Sequence, residues 1–182
     1  MRFVGIDPAT RTGIVALNLK GEVLVEMELK GKGPAGAMST PQLVDLENQL
    51  YKLLLKGDLI VIEDASAGTQ KGITTGMVHG GLRSMIYRRE LDFDISNAMW
   101  TKKYVGVKVE KGQTEKQKKD AIGAAVLEQF GYSHKSHNVV DAYIIARIAL
   151  NLYLMRNYEP LLDNERHQVE VVQGIMERAE VG

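Results

Sequence analysis

Two short apolar runs, each closed by an acid, constrain this chain more than any other feature. Arg2-Phe3-Val4-Gly5-Ile6 leads into Asp7, and Leu59-Ile60-Val61-Ile62 leads into Glu63. Runs of this length and β-branched content read as strands buried in a sheet. Strands of this kind deliver their terminal carboxylates to one end of the sheet. A third acid, Asp141, is followed by Ala142, Ile144, Ile145, Ala146, Ile148, Ala149 and Leu150, a helix too apolar to lie on a surface. Its carboxylate is therefore expected beside the sheet. Three convergent carboxylates on hydrophobic elements are a standard way to hold divalent cations.

Each acid also has a plainer reading. Asp7 precedes Pro8, and Asp-Pro commonly opens a turn in which the side chain bonds its own backbone. Glu63 could emerge into solvent, as many strand ends do. Asn138 and Asp141 could be the N-cap and third residue of the last helix, where the helix dipole favours negative charge. The three acids together weigh against three separate accounts.

The rest of the pattern is that of one α/β domain. Residues 2–7, about 13–19 and about 22–29 read as strands, the last two joined at Asn18-Leu19-Lys20-Gly21 by a hairpin-type turn. Residues 31–41, with Gly31, Gly33, Pro34, Gly36 and Pro41, read as a loop. Thr40 is expected to cap a helix from Pro41 to Lys56, with Leu43, Leu46, Leu50, Leu53 and Leu54 on one face and Gly57 at its end. After the acid-tipped strand 59–63 come a loop with Gly68, Gly72 and Gly76, a helix over about 76–90 and a short strand near 92–96. Two helices follow, from about Thr114 to Phe130 and from about Asn138 to Asn157. This order predicts a mixed five-stranded sheet flanked by helices. Residues 1–157 are expected to form the domain. Residues 158–182 form a helical extension, with Val169, Val172, Ile175, Met176 and Ala179 spaced to face the core or a second subunit.

With 45% hydrophobic residues over 182 positions, the chain can build one sizeable core. Its 23 basic and 23 acidic residues cancel, so the net charge announces no polyanionic partner. The distribution is more informative. Between Trp100 and Asp120, seven lysines (102, 103, 108, 111, 116, 118 and 119) stand against three acids, a local excess of +4. From Tyr153 to Gly182, three arginines stand against six acids, a local −3. That is the arrangement expected if one face meets phosphates. The absence of cysteine excludes disulfides and thiolate zinc sites and fits a reducing compartment. No stretch approaches the roughly 20 apolar residues of a membrane span, and the first residues enter a strand pattern directly. A soluble cytoplasmic protein is the expectation.

The stretch Phe3-Val4-Gly5-Ile6-Asp7-Pro8-Ala9-Thr10-Arg11-Thr12-Gly13 resembles the opening strand and turn of RuvC-type Holliday-junction resolvases. Leu59-Ile60-Val61-Ile62-Glu63 resembles the second acidic strand of that family. Gly112-Gln113-Thr114-Glu115-Lys116 resembles its lysine-bearing loop and helix start, and Asn138-Val139-Val140-Asp141-Ala142 its final acidic helix. The likeness runs in order over about residues 1–150. It implies a ribonuclease H-like fold, a homodimer, and two-metal cleavage of branched DNA, above all four-way junctions, by paired nicks. On this likeness Asp7 bridges two Mg²⁺ or Mn²⁺ ions, Glu63 holds one and Asp141 the other. Lys116 then lies near the scissile phosphate, Lys102 and Lys103 lie on a flanking DNA strand, and Lys118, Lys119 and Arg83 extend the phosphate track.

The chain departs from the family pattern in two places. Where many members carry an acid three residues before the last Asp, this chain has Asn138, preceded by His137. Asn138 offers a neutral carbonyl oxygen, and His137 offers a ligand or a proton carrier, although a cap or a solvated side chain is the commoner role of a lone histidine. Asp64 is a rival ligand that strand alternation should point away from Glu63. The second departure is Asp64-Ala65-Ser66-Ala67-Gly68, which lacks the aromatic that some relatives stack on opened bases. Base stacking, if used, comes from elsewhere. These departures lean towards a phage-encoded member.

The basic residues keep two readings. The lysine run is commonly just a solvated helix face. Arg83, Arg88 and Arg89 extend a phosphate track or face solvent, and Trp100 stacks on DNA or anchors its segment. Three further functions share parts of the pattern. One is an actin-like phosphotransferase, which needs a second related domain that the sequence does not repeat. Another is a ribonuclease or RNA-processing nuclease on the same fold. The last is a catalytically weakened junction-binding scaffold, which has no need to bury three like charges.

Overall fold

The structure, a computed structural model, describes residues 1–34, 38–65, 72–108 and 112–179. Gly36, Ser66, Ala67, Gly68 and Lys111, read above as loop or basic-segment residues, lie outside the described residues. The five strands are β1 (Arg2–Asp7), β2 (Arg11–Leu17), β3 (Val23–Lys30), β4 (Asp58–Glu63) and β5 (Phe93–Ser96). They form one sheet in the order β3-β2-β1-β4-β5, with β1, β2 and β3 antiparallel and β4 and β5 running parallel to β1. This is the mixed five-stranded sheet expected from the sequence. The β2–β3 turn closes because the Asn18 side-chain oxygen accepts the backbone N–H groups of Lys20 and Glu22 at 2.9 and 3.0 Å. Gly21, with φ +78°, supplies the left-handed residue.

The described helices are α1 (Thr40–Leu53), α2 (Gly72–Arg88), α3 (Ala98–Tyr104), α4 (Glu115–Phe130), α5 (His137–Arg156) and α6 (Arg166–Ala179). Ser39, not Thr40, caps α1. Its backbone is extended, and a capping box forms in which Gln42 reaches back to the Ser39 N–H at 3.0 Å. Thr114 and Gln117 form a second capping box on α4, and Gly131 ends that helix in the left-handed conformation. The short α3 was not foreseen. Asn97 starts it by accepting the Met99 N–H at 2.8 Å.

Strand alternation divides the core in two. Val4, Ile6, Ile14, Ile60 and Ile62 face one side, against Leu46 and Leu50 of α1 and Val78, Leu82 and Ile86 of α2. Phe3, Val15, Leu17 and Val61 face the other, beneath α5, which α3, α4 and α6 flank. Contrary to the expectation from sequence that no stretch approaches a membrane span, α5 is by length and composition apolar enough to cross one, yet most of it is buried as the central core helix. Two glycines let it approach. A Cβ at Gly5 would stand 2.1 Å from the Ala142 carbonyl oxygen, and one at Gly13 would stand 1.9 Å from that of Asn138. Only glycine fits at either crossing.

The extension packs on this chain's own core. Val171, Val172 and Ile175 of α6 join the cluster around Phe3 and α5. The connection before α6 is held by buried Asp163, which accepts Tyr104 Oη at 2.7 Å, Arg147 Nε at 2.8 Å and Asn151 Nδ2 at 2.9 Å. The Arg147 guanidinium also lies over the Phe130 ring, 4.4 Å from its centroid.

Candidate active site

Asp7 and Glu63 end neighbouring parallel strands. The β1–β4 register pairs Ile6 with Ile62, so the two acids sit one residue beyond that pair and project to the same face. That face carries Phe3, Gly5 and Val61, and α5 covers it. Because Ala142 crosses at Gly5, the adjacent Asp141 is brought to the end of the sheet where Asp7 lies. The backbone of the sheet and the depth of α5 therefore place all three acids in one region.

Their electrostatics records the proximity. Burial pushes Asp7 well above the ordinary carboxylate range, and the charges of Glu63 and Asp141 push it further, against a downward pull from Lys119. Glu63 is pushed up to about 7, first by burial and then by Asp141. Thr101 Oγ1 donates to Glu63 Oε2 at 3.0 Å and pulls the other way, as does Lys102. Asp141 is pushed up to about 6 by burial, with Lys119, His137 and Lys102 pulling it down. Turn and cap chemistry account for neither Asp7 nor Asp141. The turn after Asp7 is closed by Thr12, whose hydroxyl donates to the Ala9 carbonyl at 2.7 Å. The N-cap of α5 is Ser136, which leaves Asp141 in the second turn.

Among the described residues, no three His, Asp or Glu side chains already stand close enough together to hold an ion. The donor set nevertheless suits a hard divalent cation. It offers carboxylate oxygens only, each partly buried and each raised in pKa, so each is stabilised by added positive charge.

The other sequence candidates divide. His137 lies close enough to lower Asp141, with its Nε2 4.0 Å from Asp120 Oδ1. Asn138 is engaged with the sheet. Its amide donates to the Arg11 carbonyl at 2.7 Å and reaches Glu28 at 3.4 Å, closing α5 onto β2 and β3. Lys116 is exposed on the first turn of α4, and the α4 lysine that Asp7 and Asp141 feel is Lys119. Lys118 pairs with Glu115 at 2.6 Å, and Lys103 pairs with Glu170 of α6 at 2.8 Å. Lys102 acts on both Glu63 and Asp141. Arg83 is not free for phosphate, because it pairs with Asp64 at 2.8 Å and braces the end of β4. Asp64 thus points away from Glu63, as alternation requires. Arg88 pairs with Glu47 and Arg89 caps the end of α1 at the Leu54 carbonyl, so both brace α1. Trp100 anchors α6, with Arg178 over its ring at 4.5 Å.

Sequence reasoning missed two neighbours of the acids. Thr101 carries no sequence signal of its own, and its role exists only because α3 docks beside β4. His79 of α2 is buried behind the same strand ends, and its Nδ1 has no hydrogen-bond partner among the described residues. Burial and Arg83 lower its pKa, while Asp64 and the carbonyls of Glu63 and Pro8 oppose that shift.

The antiparallel opening of three strands, the two parallel strands after it and the core helix beneath the acids together make a ribonuclease H-like fold. Among solved structures the chain is similar to T. thermophilus RuvC in complex with a Holliday junction substrate, with TM-score 0.64 and 13% identity over 86% of this chain and 96% of that one. A second Thermus thermophilus RuvC structure aligns with TM-score 0.63 and 15% identity over 87% of this chain and 97% of that one. At that identity the likeness is one of fold. No protein-family model matches the sequence, and no curated protein matches it.

Proposed function

We propose that this chain is a divalent-metal-dependent endonuclease that cuts branched DNA, four-way junctions in particular, by paired nicks from a homodimer. One observation carries the reading: three carboxylates, each raised in pKa by burial and with Asp7 pushed further by the other two, meet at the ends of β1 and β4 beneath α5, in a chain with the fold of RuvC. A RuvC structure bound to a Holliday junction makes four-way DNA the first substrate to test.

Asp7, Glu63 and Asp141 are the residues that would hold Mg²⁺ or Mn²⁺, and Asp7 feels both other acids. Two such ions, when bound, would supply a more acidic attacking water and stabilisation for the leaving oxyanion. Thr101 fixes one Glu63 oxygen and leaves the other free to ligate. Lys119 and Lys102 hold positive charge against the acids and receive the scissile phosphate. Lys116, Lys118 and Lys103 continue the basic track outward, and His137 beside Asp141 is placed to pass a proton to solvent. Asn138 has a structural part in closing α5, so the acid trio works without a fourth carboxylate.

Support for a dimer comes from α2. Ile73, Gly76, Met77, Gly80, Ser84 and Tyr87 form one exposed face, with Ile73 85% and Tyr87 75% exposed. A two-fold pair supplies two related sites for two related cuts.

The test is cleavage of labelled four-way junction, duplex, flap and RNA–DNA hybrid with Mg²⁺, Mn²⁺ or EDTA. The expected result is paired symmetric nicks in the junction that require metal and vanish in Asp7→Asn, which still binds DNA. Equal cutting of every substrate refutes junction selectivity. Preferred cutting of the hybrid favours a ribonuclease, and metal-independent binding without cutting favours a scaffold.

A further inference from the structure

The inner side of α3 serves the acids through Thr101, and its outer side lines a separate cavity of about 570 Å³. Met99, Lys102, Lys103, Val107 and Lys108 form its walls, together with His167 from α6. Its apolar floor is ringed by three ammonium groups, and among the described residues no acid lines it. Met99 is 75% exposed, with none of the described residues covering it. His167 stands over Gly106, where a Cβ would lie 3.4 Å from Nε2, and that nitrogen has no hydrogen-bond partner among the described residues. Lys103 is partly satisfied by Glu170, whereas Lys102 also acts on Glu63 and Asp141. The cavity and the acid site therefore share a wall.

An apolar floor under a cationic rim fits a planar ring that carries an anion, which is the chemistry of a nucleotide. The volume lies within the roughly 300–1,000 Å³ of small-ligand sites, enough for one base and too small for a duplex. Continuity through Lys102 sets the source as the strand that occupies the acid site. Resting on the nuclease reading above, we propose that this pocket receives one unpaired nucleotide of the cleaved strand. The base lies against Met99 and Val107, with the His167 ring closing the inner wall, and Lys102 and Lys108 hold the flanking phosphates. Methionine suits the role because its polarizable thioether packs well on aromatic rings of different shape. Selectivity for branched DNA then comes from the ease of unpairing a base at the branch point.

The experiment places 2-aminopurine at successive positions beside the cut in a four-way junction and reads its emission on binding to the full chain in Ca²⁺. One position is expected to change emission on binding, and Met99→Ser and His167→Ala should abolish that change. Each should also weaken junction binding by about tenfold, the loss from one stacked base. Met99 is solvent-facing, so its replacement tests the pocket without unfolding the chain, which a thermal melt checks. Junction binding and cutting that both variants leave unchanged would overturn the pocket and leave the nuclease reading intact. Failure of the unsubstituted chain to bind or cut any DNA would instead remove the nuclease reading on which the pocket rests. Thymidine monophosphate binding as tightly as the junction would also overturn the assignment, because the occupant would then be a free nucleotide.

Discussion

Replacing Glu63 with Gln should make the metal-free protein more stable, even though it removes a residue that the fold goes to some length to position. Glu63 ionises near 7 in the fold against an ordinary 4.5. At about 1.4 kcal/mol per unit, its charge costs about 3 kcal/mol at pH values well above 7. Glu63 keeps a partly exposed edge, and part of its cost is mutual repulsion with Asp141, so roughly half of that, about 1.5 kcal/mol, is a fair expectation after solvent screening. For a chain of this length that is a melting-point rise of about 3–6 °C. Gln retains the shape and an oxygen for Thr101, so no hydrogen bond is forfeited.

The dependence on pH separates this cause from a simple packing change. A carboxylate whose pKa is raised on folding favours the fold below about 4.5, and that contribution is lost as pH rises through about 7. In EDTA, thermal unfolding followed by circular dichroism should therefore show the Gln variant ahead at about pH 8 and level with the parent at about pH 4.5. Added Mg²⁺ should raise the parent and reverse the order. A variant no more stable at the higher pH, or equally shifted at both, refutes the claim that Glu63 is an uncompensated buried charge.

Lys119→Ala should slow cleavage and move the acid limb of the pH–rate profile upward, because Lys119 lowers Asp7 and is the first of three groups that lower Asp141. Lys116→Ala should leave that limb in place and weaken only DNA binding, as measured by salt-dependent titration. Asp163→Ala should cost about 3–5 kcal/mol in urea unfolding, because it strands the buried Arg147 guanidinium and the Tyr104 hydroxyl together.

The legible parts of the fold were those fixed by short-range pattern. Hydrophobic runs gave the five strands and α5, and the acids at 7, 63 and 141 were visible because each interrupts an apolar run. Lys116 against Lys119 shows where pattern stops. The two are three residues apart on α4, nearly one turn, and only the docking of α4 on α5 decides which reaches the acids. Arg83 shows the same limit, since its charge is readable but its partner Asp64, 19 residues away, is not. Thr101 and His79 were invisible because their contacts join segments distant in sequence. The helix α3 has too few turns for periodicity to register. It exists through contacts made elsewhere.

Those contacts explain why a chain with this fold carries α6. A seven-residue helix is far below the length that is stable alone in water, so α3 depends on what grips it. Trp100 packs where a Cβ at Gly174 would be 3.2 Å away, Lys103 pairs with Glu170, and the Tyr104 hydroxyl donates to Asp163. All three partners belong to the extension. The same helix holds Thr101 against Glu63 and carries Lys102. A tail remote in sequence therefore fixes two groups that lower the pKa of the Glu63 carboxylate. Trp100→Ala should loosen α3, weaken the Thr101 bond and raise the Glu63 pKa above its value of about 7, so the acid limb of metal-dependent cleavage should shift to higher pH. If the variant loses thermal stability while that limb stays fixed, α6 is only a structural cover and the coupling to the site is refuted.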